Sequence, residues 1–224
     1  MQPSHWKAAV IELLGTFTLV FVGASAGSTG EGIIVGSLAH GGIVAGLIYA
    51  YGSISGAHIN PAVTAALLLT RHLALRRALA YWVGQFSGGI AAAALLNAMT
   101  PGTTALGQTV GSLTADHVWT AAALEAVLTF FLVSVIYQAA VFGRAGALVG
   151  FVIGITLAAL ILAGASYSGA SLNPARTLGP ALIAGEMSYV LPYFVGIFGG
   201  GLLAGMVQGR LIGRIQLQTP DNTA

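Results

Sequence analysis

Two short stretches hold the residues of this sequence best placed to do chemistry. Ser55-Gly56-Ala57-His58-Ile59-Asn60-Pro61-Ala62 and Ser168-Gly169-Ala170-Ser171-Leu172-Asn173-Pro174-Ala175 are identical at six of eight positions and lie 113 residues apart. In each, Asn is suited to cap a helix, Pro takes the first helical position without wasting an amide, and a good helix former follows. The chemistry on offer is hydrogen bonding, not bond breaking. A capping Asn keeps amide protons to donate, and the carbonyls just before it, from Gly56, Ala57 and His58 and from Gly169, Ala170 and Ser171, have no helical partner and are free to accept. Glu12 and Glu125 recur at the same 113-residue offset. The chain has no Cys, no Ser-His-Asp order, no cluster of metal ligands and no phosphate-cradling glycine loop, so neither an enzyme, a cofactor nor a metal is expected.

These stretches are to be positioned by membrane-spanning helices. Only 6% of the 224 residues are charged and 56% are hydrophobic, against about a quarter charged in ordinary soluble domains. Six apolar segments exceed the roughly 18 residues needed to span: Trp6 to Ala26, Ile33 to Ile54, Ala78 to Met99, Val118 to Ala140, Ala147 to Tyr167 and Tyr189 to Leu211. Lys7 before the first run and Ala24-Ser25-Ala26 after it resemble a signal peptide, but Glu12 and the recurrence of this segment in the second half argue for a retained span. Asn60 to Thr70 and Asn173 to Ala184 reach only halfway across, as re-entrant half-helices would; short amphipathic surface helices are the alternative.

The last span of each half also repeats, Tyr81, Gly84, Phe86, Gly88 and Gly89 against Tyr193, Gly196, Phe198, Gly200 and Gly201. The chain is thus one channel domain over 1–224 made by tandem duplication, with repeats of approximately 1–112 and 113–224. Three spans per repeat is an odd number, so the second copy enters the bilayer inverted, and such repeats place their site near the midplane. The expected fold is an all-α membrane protein with six transmembrane helices and two half-helices. The half-helix N-termini, each carrying roughly half a positive charge, would meet at mid-membrane and repel cations.

The net charge of +2 forms no basic tract for nucleic acid. Lys7, Arg71, Arg76, Arg77, Arg144, Arg210 and Arg214 fall on one side of a six-span arrangement, which places both termini in the cytoplasm. Arg176 is the exception. Trp6, Trp82, Trp119, Tyr81, Tyr189 and Tyr193 lie near span ends and are expected to anchor at headgroup depth. The 32 glycines suggest close helix packing.

The two Asn-Pro-Ala motifs, "SGAHINPAV", "SGASLNPART" and the two helix glutamates resemble the aquaporin, or major intrinsic protein, family over essentially the whole chain. The resemblance implies a homotetramer with one pore per subunit, glutamates that brace the re-entrant loops, and a filter transferred by spacing onto His40, Ile161, Ala170 and Arg176. For Glu12 and Glu125 the plainer reading is a protonated buried acid, for Arg176 an interfacial arginine, and for His40 a core histidine. Water-specific members usually have Phe and His where His40 and Ile161 stand. "ILAGASYSGASLNPA" instead resembles the plant tonoplast type, which implies a wider and less polar opening. The function so implied is a passive water channel that excludes protons and ions. A facilitator of ammonia, urea or hydrogen peroxide is the alternative, and a coupled secondary transporter the alternative from another class. Thr177, where glycerol-conducting relatives usually have Asp, ranks glycerol lower. Its partners would be water, small neutral solutes and a lipid bilayer, the cell (inner) membrane. A scaffold role has little loop or tail to use.

Overall fold

The structure is a computed structural model that describes residues 5–28, 30, 32–100 and 106–212. Eight helices run in chain order: α1 (His5–Ser28), α2 (Ile33–Ser55), α3 (Pro61–Leu69), α4 (Leu75–Met99), α5 (Val118–Ile136), α6 (Val149–Ser168), α7 (Pro174–Ala184) and α8 (Val190–Ala204). Helix α5 continues as a π-helix over Tyr137–Val141, and α8 as another over Gly205–Ile212. Among the described residues, six helices are long and apolar enough to cross a bilayer. The two short ones, of 9 and 11 residues, cover about half of a 30 Å hydrocarbon layer at 1.5 Å per residue.

The helices pack in matching pairs. Helix α1 lies on α4 as α5 lies on α8, and α2 meets α6 between the halves. The half-helices cross over, α3 packing on α8 and α7 on α4, so each repeat holds the short helix of the other. Small residues make this possible. A methyl group built on Gly84 or Gly88 would lie 2.5 Å from the Ala9 oxygen or 2.3 Å from the Leu13 oxygen of α1; on Gly196 or Gly200 it would lie 2.1 or 2.0 Å from the Ala122 or Ala126 oxygen of α5.

Outward faces are apolar, as at Leu38, Val83 and Leu191, which are 56%, 69% and 69% exposed. Trp6 and Trp119 are also exposed, as anchoring residues should be. Tyr81, Tyr189 and Tyr193 are not, being wholly buried. The headgroup role expected of these three is corrected by the structure: their rings sit inside the bundle, and Tyr81 and Tyr193 donate hydrogen bonds to the Ser55 and Ser168 carbonyls at 2.6 and 2.7 Å. Arg214 lies outside the described residues.

Candidate functional site

Each re-entrant loop begins where a helix ends in a left-handed glycine, α2 at Gly56 (φ 92°) and α6 at Gly169 (φ 83°). The left-handed conformation then recurs at residues that disfavour it: Ala57 (φ 46°) and Ile59 (φ 43°) in the first loop, Ala170 (φ 43°) and Leu172 (φ 53°) in the second. Such backbone costs on the order of 1–3 kcal/mol per residue and persists only where surroundings over-determine it. Here the over-determination is a buried carboxylate. Glu12 accepts from the Ser55 hydroxyl at 2.6 Å and from the amides of His58 and Ile59 at 2.9 and 2.6 Å. Glu125 accepts from the Ser168 hydroxyl at 2.7 Å and from the amides of Ser171 and Leu172 at 2.9 and 2.8 Å.

The two braces differ in one partner. Gln85 Nε2 donates to Glu12 at 2.8 Å, whereas the position 112 residues later is Ile197. Glu125 therefore has three donors where Glu12 has four. Ser55, Ser168 and Gln85 were not singled out from the sequence; the serines repeat at the motif offset and could have been found that way, but nothing local marks Gln85.

The asparagines are fixed from both ends. Asn60 Oδ1 accepts from the Ala62 amide at 2.9 Å, and Asn173 Oδ1 from the amides of Ala175 and Arg176 at 3.0 and 3.3 Å. Their Nδ2 groups reach across the repeat interface, Asn60 to the Leu172 carbonyl at 2.8 Å and Asn173 to the Ile59 carbonyl at 2.9 Å. An amide oxygen held by backbone N–H and an amide nitrogen held by a carbonyl leave no ambiguity of orientation. Each Nδ2 retains one further proton. Pro61 and Pro174 open their helices, the Pro61 carbonyl accepts from the Trp82 indole at 3.0 Å, Ala62 lies against Gly201, and Ala175 lies against Gly89.

A cavity of about 380 Å³ runs past these groups. His40, Ile161 and Arg176 wall it, as do Gly56, Ala57, His58, Asn60, Ser171 and Asn173, and it extends to His72, Ala140 and Val141 near the arginine-bearing end of the bundle. Its remaining wall is largely aliphatic, with Val44, Val63, Leu132 and Leu157 among its members. Gly169 and Ala170 are not on this wall: Gly169 backs onto Thr109 and Val110, and Ala170 packs in a core cluster with Leu128 and Leu172.

At one end of the cavity Arg176 Nε donates to His40 Nε2 at 3.0 Å, and His40 Nδ1 lies 2.8 Å from the Gly36 carbonyl. Since a guanidinium only donates, Nε2 must be the acceptor and Nδ1 carries the proton. The imidazole is neutral in this arrangement and orients the arginine. Arg176 Nη1 is buried with no partner among the described residues. Space for the His40 ring comes from Gly23, where a methyl group would lie 2.2 Å from His40 Nε2. Gly23 is a residue that sequence reading missed among many glycines. Gly23→Ala is expected to push the ring toward the cavity and lower osmotic water permeability several-fold while leaving the helical circular dichroism unchanged; permeability equal to the parent's would show that the ring has another place to go.

A cavity walled by both re-entrant loops and both asparagines, inside a bundle of spanning helices, is the arrangement of a membrane channel. The chain matches the major intrinsic protein family over residues 1–208. It is 38% identical to aquaporin TIP4-1 of Arabidopsis thaliana, covering 99% of this chain and 92% of that one, and 37% identical to aquaporin TIP1-1 of Zea mays, covering 92% and 87%. The fold is shared with the aquaglyceroporin from Plasmodium falciparum, with a TM-score of 0.85 at 21% identity over 96% of this chain and all of that one. The chain belongs to the major intrinsic protein family. It is a multi-pass membrane protein and a passive channel for water and small neutral solutes.

Proposed function

We propose that solutes move in single file through the cavity, selected first at His40, Ile161 and Arg176 and then at the two asparagines. The observation that carries this reading is the pair of Nδ2 groups, each locked to the opposite loop and each with one proton left for the lumen. A water passing there must turn its oxygen toward both donors, so its own protons point away and a proton wire is interrupted. The N-termini of α3 and α7, meeting at the same point, add a positive potential that repels hydronium and other cations. Carbonyls of Gly56, Ala57 and His58 on one side, and of Ser171 on the other, accept from water on the approaches and offset its dehydration; Gly169 and Ala170, off the cavity wall, take no part.

Both His40 ring nitrogens are occupied, and Ile161 offers only carbon. The filter therefore has the Arg176 Nη amino groups as its donors in an otherwise weakly polar opening, with the small Ala170 behind its wall. Such a filter passes water and also suits ammonia, urea and hydrogen peroxide. Thr177 is buried and bonded to Ser171 at 2.6 Å, so it offers glycerol no carboxylate. We further propose a homotetramer with one pore per subunit, in a cell membrane, with the arginine-bearing end and both termini in the cytoplasm.

Osmotic shock of proteoliposomes tests the reading. Sucrose should cause fast shrinkage with a low activation energy, and urea should allow re-swelling faster than glycerol does. His40→Phe is expected to cut urea passage several-fold more than water passage, because the larger ring narrows the opening and leaves Arg176 Nε without its acceptor. Shrinkage no faster than in empty vesicles, from protein shown to be folded, would sink the open-channel reading. With no Cys in the chain, mercurials have no thiolate to attack; permeability should be unchanged by mercury, and reversible block would contradict this.

A further inference from the structure

The second cavity lies away from the pore, where the ends of α5 and α8 meet the start of α6 on the arginine-bearing side. It is an open cleft of about 490 Å³ whose walls include Val135, Ala139, Val152 and Ile212, with Arg144 at its mouth. The π-helical turns of Tyr137–Val141 and Gly205–Ile212 form two of its sides, and Gln138 Nε2 joins them by donating to Gln208 Oε1 at 2.6 Å. Departures to π geometry inside spanning helices often mark functional positions.

Three polar groups of this cleft have no partner among the described residues. Ser134 Oγ and Gln138 Oε1 are buried and unpaired, and the exposed Arg144 guanidinium forms no hydrogen bond or ion pair among them. From Ser134 to Val141 is about 10 Å along a helix, so the cleft starts at headgroup depth and descends into the hydrocarbon layer. A cation at the rim, a hydroxyl and an amide oxygen just below it, and an aliphatic wall beneath match one kind of molecule. We propose that the cleft binds an anionic phospholipid of the adjacent leaflet, its phosphate on Arg144, its glycerol-ester oxygens toward the Ser134 hydroxyl, and the start of an acyl chain along Val135, Ala139 and Val152.

Charge complementarity distinguishes this occupant from a second copy of the chain or from the chain's own residues beyond 212, either of which would give no preference among lipids. The delipidated protein, in mild detergent, is titrated with phosphatidylglycerol or with phosphatidylcholine of the same acyl chains, and bound lipid is counted by native mass spectrometry. Phosphatidylglycerol should bind about tenfold more tightly, the scale of one charge-assisted contact. Arg144→Gln should abolish the preference and Arg144→Lys should retain most of it, since an ammonium still pairs with phosphate. Arg76→Gln, a loss of the same charge on α4 at the same end, should leave the preference intact. Water permeability of Arg144→Gln should equal the parent's, which establishes that the variant is folded. Equal binding of the two lipids, an unchanged preference in Arg144→Gln, or an equal loss in Arg76→Gln would each overturn the proposal; if Arg144→Gln fails to fold, Ser134→Ala with Val152→Trp, which fills the cleft, must remove the preference instead.

Discussion

Glu125→Leu is expected to prevent recovery of a stable channel. The carboxylate holds one hydroxyl and two backbone amides, and its removal leaves buried donors that cost about 1–3 kcal/mol each when unpaired. The same change takes from Ala170 and Leu172 the carboxylate that helps sustain their left-handed backbone, leaving the Ser168 hydroxyl on the Ala170 amide and Asn60 on the Leu172 carbonyl, so the second loop relaxes and carries Asn173 away from Ile59. The combined loss, on the order of 5 kcal/mol, is comparable to the roughly 5–15 kcal/mol that separates native from unfolded states in ordinary domains. Glu125→Gln should be milder, because one oxygen still accepts, yet its new amide points a donor at donors. Thermal unfolding in detergent, followed by circular dichroism beside size exclusion, provides the check. A Glu125→Leu protein with the parent's melting temperature and permeability would show that the loop holds itself. Glu12→Leu should have a related effect, with Gln85 partly compensated because its Nε2 also donates to Thr64 at 3.0 Å.

Arg176→Ala is expected to change selectivity most. It removes a fixed charge, the free Nη1 donor and the bond to His40 in one step. Urea and glycerol permeabilities should rise by about tenfold, equivalent to lowering a barrier by about 1.4 kcal/mol. Water permeability should change less, because the asparagine pair and the carbonyl approaches are intact. A proton leak, read with a pH-sensitive dye inside the vesicles, should appear as the cationic barrier weakens, though the half-helix dipoles at mid-membrane keep it below that of an open hole. Arg176→Lys should fall between the two, since an ammonium keeps the charge but lacks the planar fork that holds His40 and the lumen at once. Unchanged ratios of urea to water in Arg176→Ala would remove Arg176 from the filter.

The sequence alone determined what depends on short-range rules. Hydropathy length marked six spans and two half-spans, Asn-Pro-Ala announced two helix starts, and the 113-residue repeat required an inverted pair, because caps act within two or three residues and spanning length is a property of continuous apolar chain. The recurrence of Glu12 and Glu125 at the loop offset was also legible, while their bracing task came only from the family resemblance. What only the tertiary structure decided is pairing across the two halves. The asparagine amides bond to carbonyls 112 and 114 residues away, and Arg176 finds His40 136 residues away; no local pattern specifies contacts that form only when two inverted halves close on one another. The same closure turns Tyr81 and Tyr193 inward, sets Ala170 behind the cavity wall and makes Gly23 the seat of His40, because each outcome depends on which atoms of a distant helix occupy the neighbouring space.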